Sequence, residues 1–354
     1  MTEHRVASLD MLRGLAALSV TIPHFFIFNN GDSALAETIS ILGVEVFFVL
    51  SGYVLAPQIM SFVVERPDNR NLGIFLVRRW MRTIPPYLIA LLLISAVAHR
   101  LGSGDFFRYL VYVQNFARQS NADDYFSAAW SLSVEEWFYL LFPPFLIFAV
   151  SVTRRRSVVG AAISVAAFVV LITLLRETLG NYAAWGPDVR RIVIFRMDAI
   201  AWGFLLNLAM TRTGILGHIR IWHALTCLLA ALAIAIGLTM FAAESHRRSI
   251  EAAFPFYSSA VGATAIMLTL KLTDIFQGSK ALTAAGEFLG RISYSMYLFH
   301  LLVLESLASF LGQFSPLPEL ALYLMVTTAI ASLMYVAIEA PVLAARPRFL
   351  TPRS

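Results

Sequence analysis

A chain of 354 residues with 58% hydrophobic and only 14% charged residues falls well short of the roughly 25% charge expected of soluble domains. With a mean hydropathy of +0.72, this excludes a soluble enzyme and indicates an all-α polytopic membrane protein. The net charge of +5 comes with no exposed basic face interleaved with aromatics, so no nucleic-acid partner is expected. The single cysteine, Cys227, excludes an internal disulfide and argues against a thiolate metal site; within WHALTCLLAALAIAIGL it is expected to be packed.

Windows of about 20 apolar residues predict a transmembrane bundle of about ten helices near 8–28, 39–63, 83–99, 130–151, 157–175, 192–211, 221–243, 252–271, 288–312 and 319–340. Short polar connectors join them, so residues 1–354 are read as one domain. An even count puts both termini on one side. Placing them in the cytoplasm gives that side Arg5, Arg66, Arg70, Arg78, Arg79, Arg82, Arg154, Arg155, Arg156, Arg212, Arg220, Lys271, Lys280, Arg346, Arg348 and Arg353. The opposite side receives Arg100, Arg108, Arg118, Arg176, Arg190, Arg191, Arg247 and Arg248, an imbalance that favours N-in and C-in. The segment MTEHRVASLD has an acid, and no small-residue cleavage site follows the first apolar stretch, so that span is expected to stay as an anchor. No internal repeat stands out.

The ionisable groups within these spans need explaining, because charge in lipid is costly. Arg13 and His24 are eleven residues apart in the first span; eleven steps of 100° fall about 20° from three full turns, so both lie on one face, about 16 Å apart along the axis. Arg13 has two readings, a side chain snorkelling to the interface and paired with Asp10 at i−3, or a cation of a site within the membrane. For His24 the choice is between an interhelical hydrogen bond and a reacting base. Pro23 removes a backbone donor where that ring projects.

In the second span, SGY at 51–53 places Gly52 between the hydroxyls of Ser51 and Tyr53, a pattern for close helix packing or for substrate approach. Arg79 and Arg82 share a face before Pro85 and Pro86; they are either positive-inside anchors or guanidinium forks suited to phosphate. Glu135 and Tyr139, at i and i+4, share a face of the fourth span, with Glu136 turned about 100° away. Glu135 is read either as an ion-pair partner of Arg13 or Arg196, or as the group that orients the His24 ring. Pro143 and Pro144 are expected to interrupt that helix. Arg196 and Asp198, two apart, cannot face each other, so each is expected to pair with another helix. Gly286 and Gly290 form a GxxxG close-packing motif, and His300 stands near Tyr297 as an interhelical histidine.

Arg13 followed by ten residues and His24, then GVEVFFVLSGYVL at 43–55, FLVRRWMRTIPPY at 75–87, WSLSVEEWFYLLFP at 130–143, FRMDAIAWGFLL at 195–206, GRISYSMYLFHLLV at 290–303 and IEAP at 338–341 resemble, in order, the blocks of the membrane-bound acyltransferase-3 family. The resemblance covers essentially the whole chain and is similar to the stand-alone form, without the SGNH-type domain some members carry. It implies transfer of an acyl group, commonly acetyl, from acyl-CoA to a hydroxyl of a carbohydrate or glycan-like acceptor in a bacterial inner membrane. It favours Arg79 and Arg82 as the donor-phosphate site and Glu135 over Glu136. Ser51, Tyr53, Tyr139, Arg196, Asp198 and His300 would be substrate contacts or site architecture.

The resemblance implies acyl-CoA, commonly acetyl-CoA, as a co-substrate, with no cofactor or metal held permanently.

The sequence lacks HExxH, a Walker GxxxxGK[ST], GxGxxG after a strand and the GxSxG elbow. What remains competent is acid–base work by His24 on an acceptor hydroxyl, with Arg13 positioning the donor or screening developing negative charge. Direct transfer and a transient acyl-histidine both fit these residues. A transporter or flippase using the buried Arg, His and Glu as a substrate or proton path is the competing class. Trp185, Tyr182 and Tyr125, in the connecting segments 100–129 and 176–191, are candidates for stacking on sugar rings or for interfacial anchoring. The oligomeric state is open.

Overall fold

A computed structural model describes residues 6–31, 33–65, 67–118, 124–154, 156–241, 244–312 and 315–350; Arg5, Arg66, Arg155 and Arg353 of the charge tally lie outside them. The helices in chain order are α1 (Ala7–Asn30), α2 (Ala34–Met60), α3 (Arg70–Val97), α4 (Gly104–Leu110), α5 (Ala129–Val152), α6 (Val158–Leu179), α7 (Met197–Thr213), α8 (Ile215–His218), α9 (Ile221–Met240), α10 (Arg247–Lys271), α11 (Thr273–Gly278), α12 (Lys280–Leu307), α13 (Pro316–Met334) and α14 (Ala340–Ala344). No strand occurs among the described residues, and nine helical stretches among them are long and apolar enough to cross a membrane. The expected polytopic helical bundle is observed.

The departures from the expected spans have local causes. The segment expected at 288–312 is α12, whose 28 residues include Lys280, Glu287, Arg291 and Glu305. These charges keep it out of the apolar set. It starts earlier than hydropathy suggests because Ser279 caps it, accepting from the Leu282 N–H, and Glu287 pairs with Arg291 at i,i+4. Similarly α3 begins at Arg70, where Asp68 accepts the Arg70 N–H and pairs with its guanidinium. Arg79 and Arg82 therefore lie inside a helix, well past its first turn. A hydropathy window registers lipid-length apolar sequence and misses an amphipathic extension of the same helix.

The expected break at Pro143 and Pro144 does not occur, since α5 runs through both. Proline removes one donor each, and in a helix packed among neighbours the freed carbonyls are tolerated. Arg176, counted among loop cations, belongs to α6, and Arg247 belongs to the first turn of α10, paired with Glu251.

The chain forms two compact units, one of Met1–Leu50 with Gly214–Ala337, the other of Ser51–Thr213 with Ile338–Ser354. In the first, α1 and α12 run side by side in the same direction. Gly286 stands against the Ala7 carbonyl, Gly14 against Leu289 and Gly290 against Asp10, each too close to admit a Cβ without displacement. Higher along the pair, Ala17 packs with Ile292 and Met296, and Phe25 with Val303 and Leu304. The GxxxG motif is therefore a genuine contact surface, because only glycine lets the backbones approach this far. By contrast α9 buries only Ala224 and Ala235, eleven residues apart and so in line. Cys227 is exposed, against the expectation of a packed thiol, because α9 meets its unit along that narrow stripe.

In the second unit, Phe142 of α5 stacks on Phe138 at 4.4 Å and meets Phe204 of α7 at 5.2 Å and Phe168 of α6 at 5.3 Å. Gly52 lies against the carbonyl of Ile200 with no room for a Cβ, which makes the SGY glycine a packing device between α2 and α7. A buried ion pair ties α6 to α7, Arg176 Nη1 to Asp198 Oδ2 at 2.8 Å.

Candidate active site

The glycine-mediated approach of α1 and α12 sets two imidazoles together in the first unit. His24 Nδ1 lies 2.8 Å from the carbonyl of Val20, one turn back on its own helix, and 3.3 Å from Nε2 of His300. The ring centroids are 5.0 Å apart and tilted by 46°. His300 is fully buried, and its Nδ1 lies 2.6 Å from the Tyr297 carbonyl. Carbonyl oxygen only accepts, so the ring nitrogen facing it carries the hydrogen. For His24 this places the proton on Nδ1 and the lone pair on Nε2.

Further down the same face of α1, Arg13 pairs with Asp10 at 3.4 Å, as the i−3 spacing foresaw. The pair is mostly buried, with 17% and 8% of the side chains exposed. Its carboxylate partner stabilises a cation held in sequence of bilayer length.

One further ionisable group here has no role in the spacing patterns of the sequence. Glu45, in the middle of GVEVFFVL, is fully buried and accepts a hydrogen bond from Ser258 of α10 at 3.2 Å. An acid surrounded by apolar residues in a predicted span was signal enough to single it out.

In the second unit Glu135 accepts from Ser51 at 3.1 Å on one oxygen and from Tyr139 at 2.9 Å on the other. The predicted shared face of Glu135 and Tyr139 is thus realised as a bond, with the Ser51 hydroxyl as an additional donor. Tyr53 on α2 is half-buried. Arg79 donates to Gln58 at 2.9 Å and lies over the rings of Phe75 and Tyr139 at 5.6 and 5.8 Å. Arg82, half-buried, forms no hydrogen bond or ion pair among the described residues. Glu136 is the more deeply buried of the two acids, within reach of Thr83 and Trp80.

Asp198 finds the expected partner on another helix in Arg176, which hydropathy alone places in a connector. Its signal was its place at the end of a long apolar run, 22 residues before an acid that needed a cation. Arg196 is also fully buried. Among the aromatics considered for sugar stacking, Trp185 lies with Trp130 against the Arg190 guanidinium, at 5.7 and 5.2 Å. The Tyr182 hydroxyl bonds Glu177 at 2.6 Å, and Tyr125 pairs with Ser95 at 3.1 Å. These rings all have partners within the chain.

A family described as an acyltransferase domain matches residues 6–336. The chain belongs to the acyltransferase-3 family. Its similarity to curated proteins reaches YrhL of Bacillus subtilis (strain 168), provisionally named a peptidoglycan O-acetyltransferase, at 28% identity over 96% of this chain and 56% of that protein. OatA of Listeria monocytogenes, named a peptidoglycan O-acetyltransferase, is 26% identical over 57% of this chain and 34% of that protein. A Staphylococcus aureus (strain COL) protein provisionally named an O-acetyltransferase is 28% identical over 44% of this chain and 27% of its own length. The acyltransferase-3 chain thus spans about half the length of YrhL, and less of the others. No solved structure matches it.

Proposed function

We propose that this chain is a membrane-embedded O-acyltransferase that moves an acetyl group from acetyl-CoA to a hydroxyl of a cell-envelope glycan, with peptidoglycan the acceptor class suggested by the relatives' names. The observation that carries the reading is the His24 ring, held with Nδ1 toward the Val20 carbonyl so that Nε2 presents a lone pair. The acceptor hydroxyl gives its proton to Nε2 as its oxygen attacks the thioester carbonyl. The carbon–sulfur bond then breaks, and the proton returns from His24 to the departing thiolate. Arg13 supplies a fixed positive charge against the developing oxyanion. Arg79 and Arg82 take the donor phosphates, a role supported by the guanidinium fork geometry and by the absence of an ion-pair partner for Arg82 among the described residues. Glu135, with Ser51 and Tyr139, contributes a half-buried carboxylate to the machinery. Both termini face the cytoplasm of a bacterial inner membrane, in keeping with the arginine bias.

The test is purified protein in lipid nanodiscs with labelled acetyl-CoA and peptidoglycan fragments. Thiol release should require the glycan and should fall by about 10²- to 10⁴-fold in His24→Ala, the usual worth of a positioned acid–base group. A His24→Ala protein working at the wild-type rate would remove the reading, as would movement of unaltered glycan without thiol release, the transporter outcome. Mixing with donor alone separates direct transfer, which leaves no label on the protein, from an acyl-histidine route, which does.

A further inference from the structure

We propose that His300 is a positioning residue for this reaction, holding His24 in its Nδ1–H tautomer and accepting a hydrogen bond from that N–H that strengthens when the ring is protonated. The inference rests on the reading of His24 as general base and adds a second histidine to it.

Two carbonyls determine the arrangement. Tyr297 O, 2.6 Å from His300 Nδ1, requires the proton on that nitrogen and leaves the lone pair of His300 on Nε2. That lone pair faces His24 Nδ1 at 3.3 Å, the same nitrogen that lies 2.8 Å from Val20 O. His24 Nδ1 thus meets two acceptors, and only the Nδ1–H tautomer satisfies them. The other tautomer would set a bare nitrogen against two lone pairs and place the hydrogen on Nε2, where it would block proton uptake.

In the Ser-His-Asp triad the third group holds the imidazole tautomer and stabilises the imidazolium. Here a neutral imidazole occupies that position. A hydrogen bond from a protonated ring is stronger than one from a neutral ring, so the His24–His300 contact tightens at the moment His24 takes the proton. A neutral acceptor does this without adding another buried charge within lipid-spanning sequence. The contacts of Gly286 with Ala7 and Gly290 with Asp10 set the spacing, since both histidines lie farther along the same helix pair.

The experiment compares His300→Gln with His300→Asn in the full chain in nanodiscs. A glutamine amide reaches about as far as Nε2 and retains an acceptor for His24. An asparagine reaches only as far as Nδ1, keeping the Tyr297 contact and losing that acceptor. His300→Asn should lower kcat on the order of 10²-fold with donor and acceptor KM unchanged, and His300→Gln should recover most of the loss. Nitrogen-15 spectra of ring-labelled wild-type protein, assigned by the signals missing in His24→Ala, should show His24 protonated at Nδ1 and bare at Nε2.

A folded His300→Asn protein with wild-type kcat overturns the inference, as does a wild-type His24 protonated at Nε2; the spectrum decides if both variants fail to fold. Loss of activity in His24→Ala with none in His300→Asn removes only the part given to His300. Full activity in His24→Ala removes the general base itself.

Discussion

A methyl group placed on Gly290 would sit 2.5 Å from the Cβ of Asp10, so the α1–α12 interface has no slack at the level of the Arg13–Asp10 pair. Gly290→Val should destabilise the protein by roughly 1–3 kcal/mol, the range for overpacking, and lower turnover by shifting His24 relative to His300. Thermal unfolding followed by size-exclusion chromatography in detergent checks the first effect. An unchanged midpoint would mean the helices separate without penalty.

Arg176 and Asp198 are each only 1% exposed, so removing one partner strands the other charge. Arg176→Met should cost about 3–5 kcal/mol, whereas Arg176→Met combined with Asp198→Leu should recover much of that loss. Stability of the double variant no better than that of the single would argue that the pair is not the source of the penalty.

Arg79 and Arg82 should separate under mutation. Arg82→Ala, which loses no partner among the described residues, should leave stability within about 0.5 kcal/mol and raise the donor KM by roughly 10- to 100-fold, the worth of a hydrogen bond to a charged group. Arg79→Ala should raise the donor KM and also lower stability, because it gives up Gln58 and two aromatic faces. Donor KM values unchanged in both variants would end the phosphate assignment.

Glu135 holds the hydroxyls of Ser51 and Tyr139 on separate oxygens. Glu135→Ala leaves the buried Tyr139 hydroxyl without this acceptor and should cost about 1–3 kcal/mol. Glu135→Gln preserves an acceptor and should retain the fold. Activity assays on Glu135→Gln then isolate the charge; wild-type turnover would show that only hydrogen bonding is needed there.

Much of this protein was legible from local pattern. Apolar runs of bilayer length announced the helical bundle because a chain in lipid must satisfy its own backbone. The eleven-residue spacing put Arg13 and His24 on one face because helix periodicity is a property of the backbone alone. The i,i−3 and i,i+4 relations of Arg13 with Asp10 and of Glu135 with Tyr139 became observed contacts for the same reason.

What periodicity could not decide was which helix each face would meet. The pairing of His24 with His300 joins residues 276 apart, and that of Glu45 with Ser258 joins residues 213 apart. Arg176 looked like a loop cation until α7 brought Asp198 to it, and Cys227 looked packed until α9 was found to bury only one edge. Hydropathy records how much a segment avoids water, which lipid and protein satisfy alike; the choice between them, and the partner of each buried charge, is made by side-chain contacts between distant segments that exist only once the helices have packed.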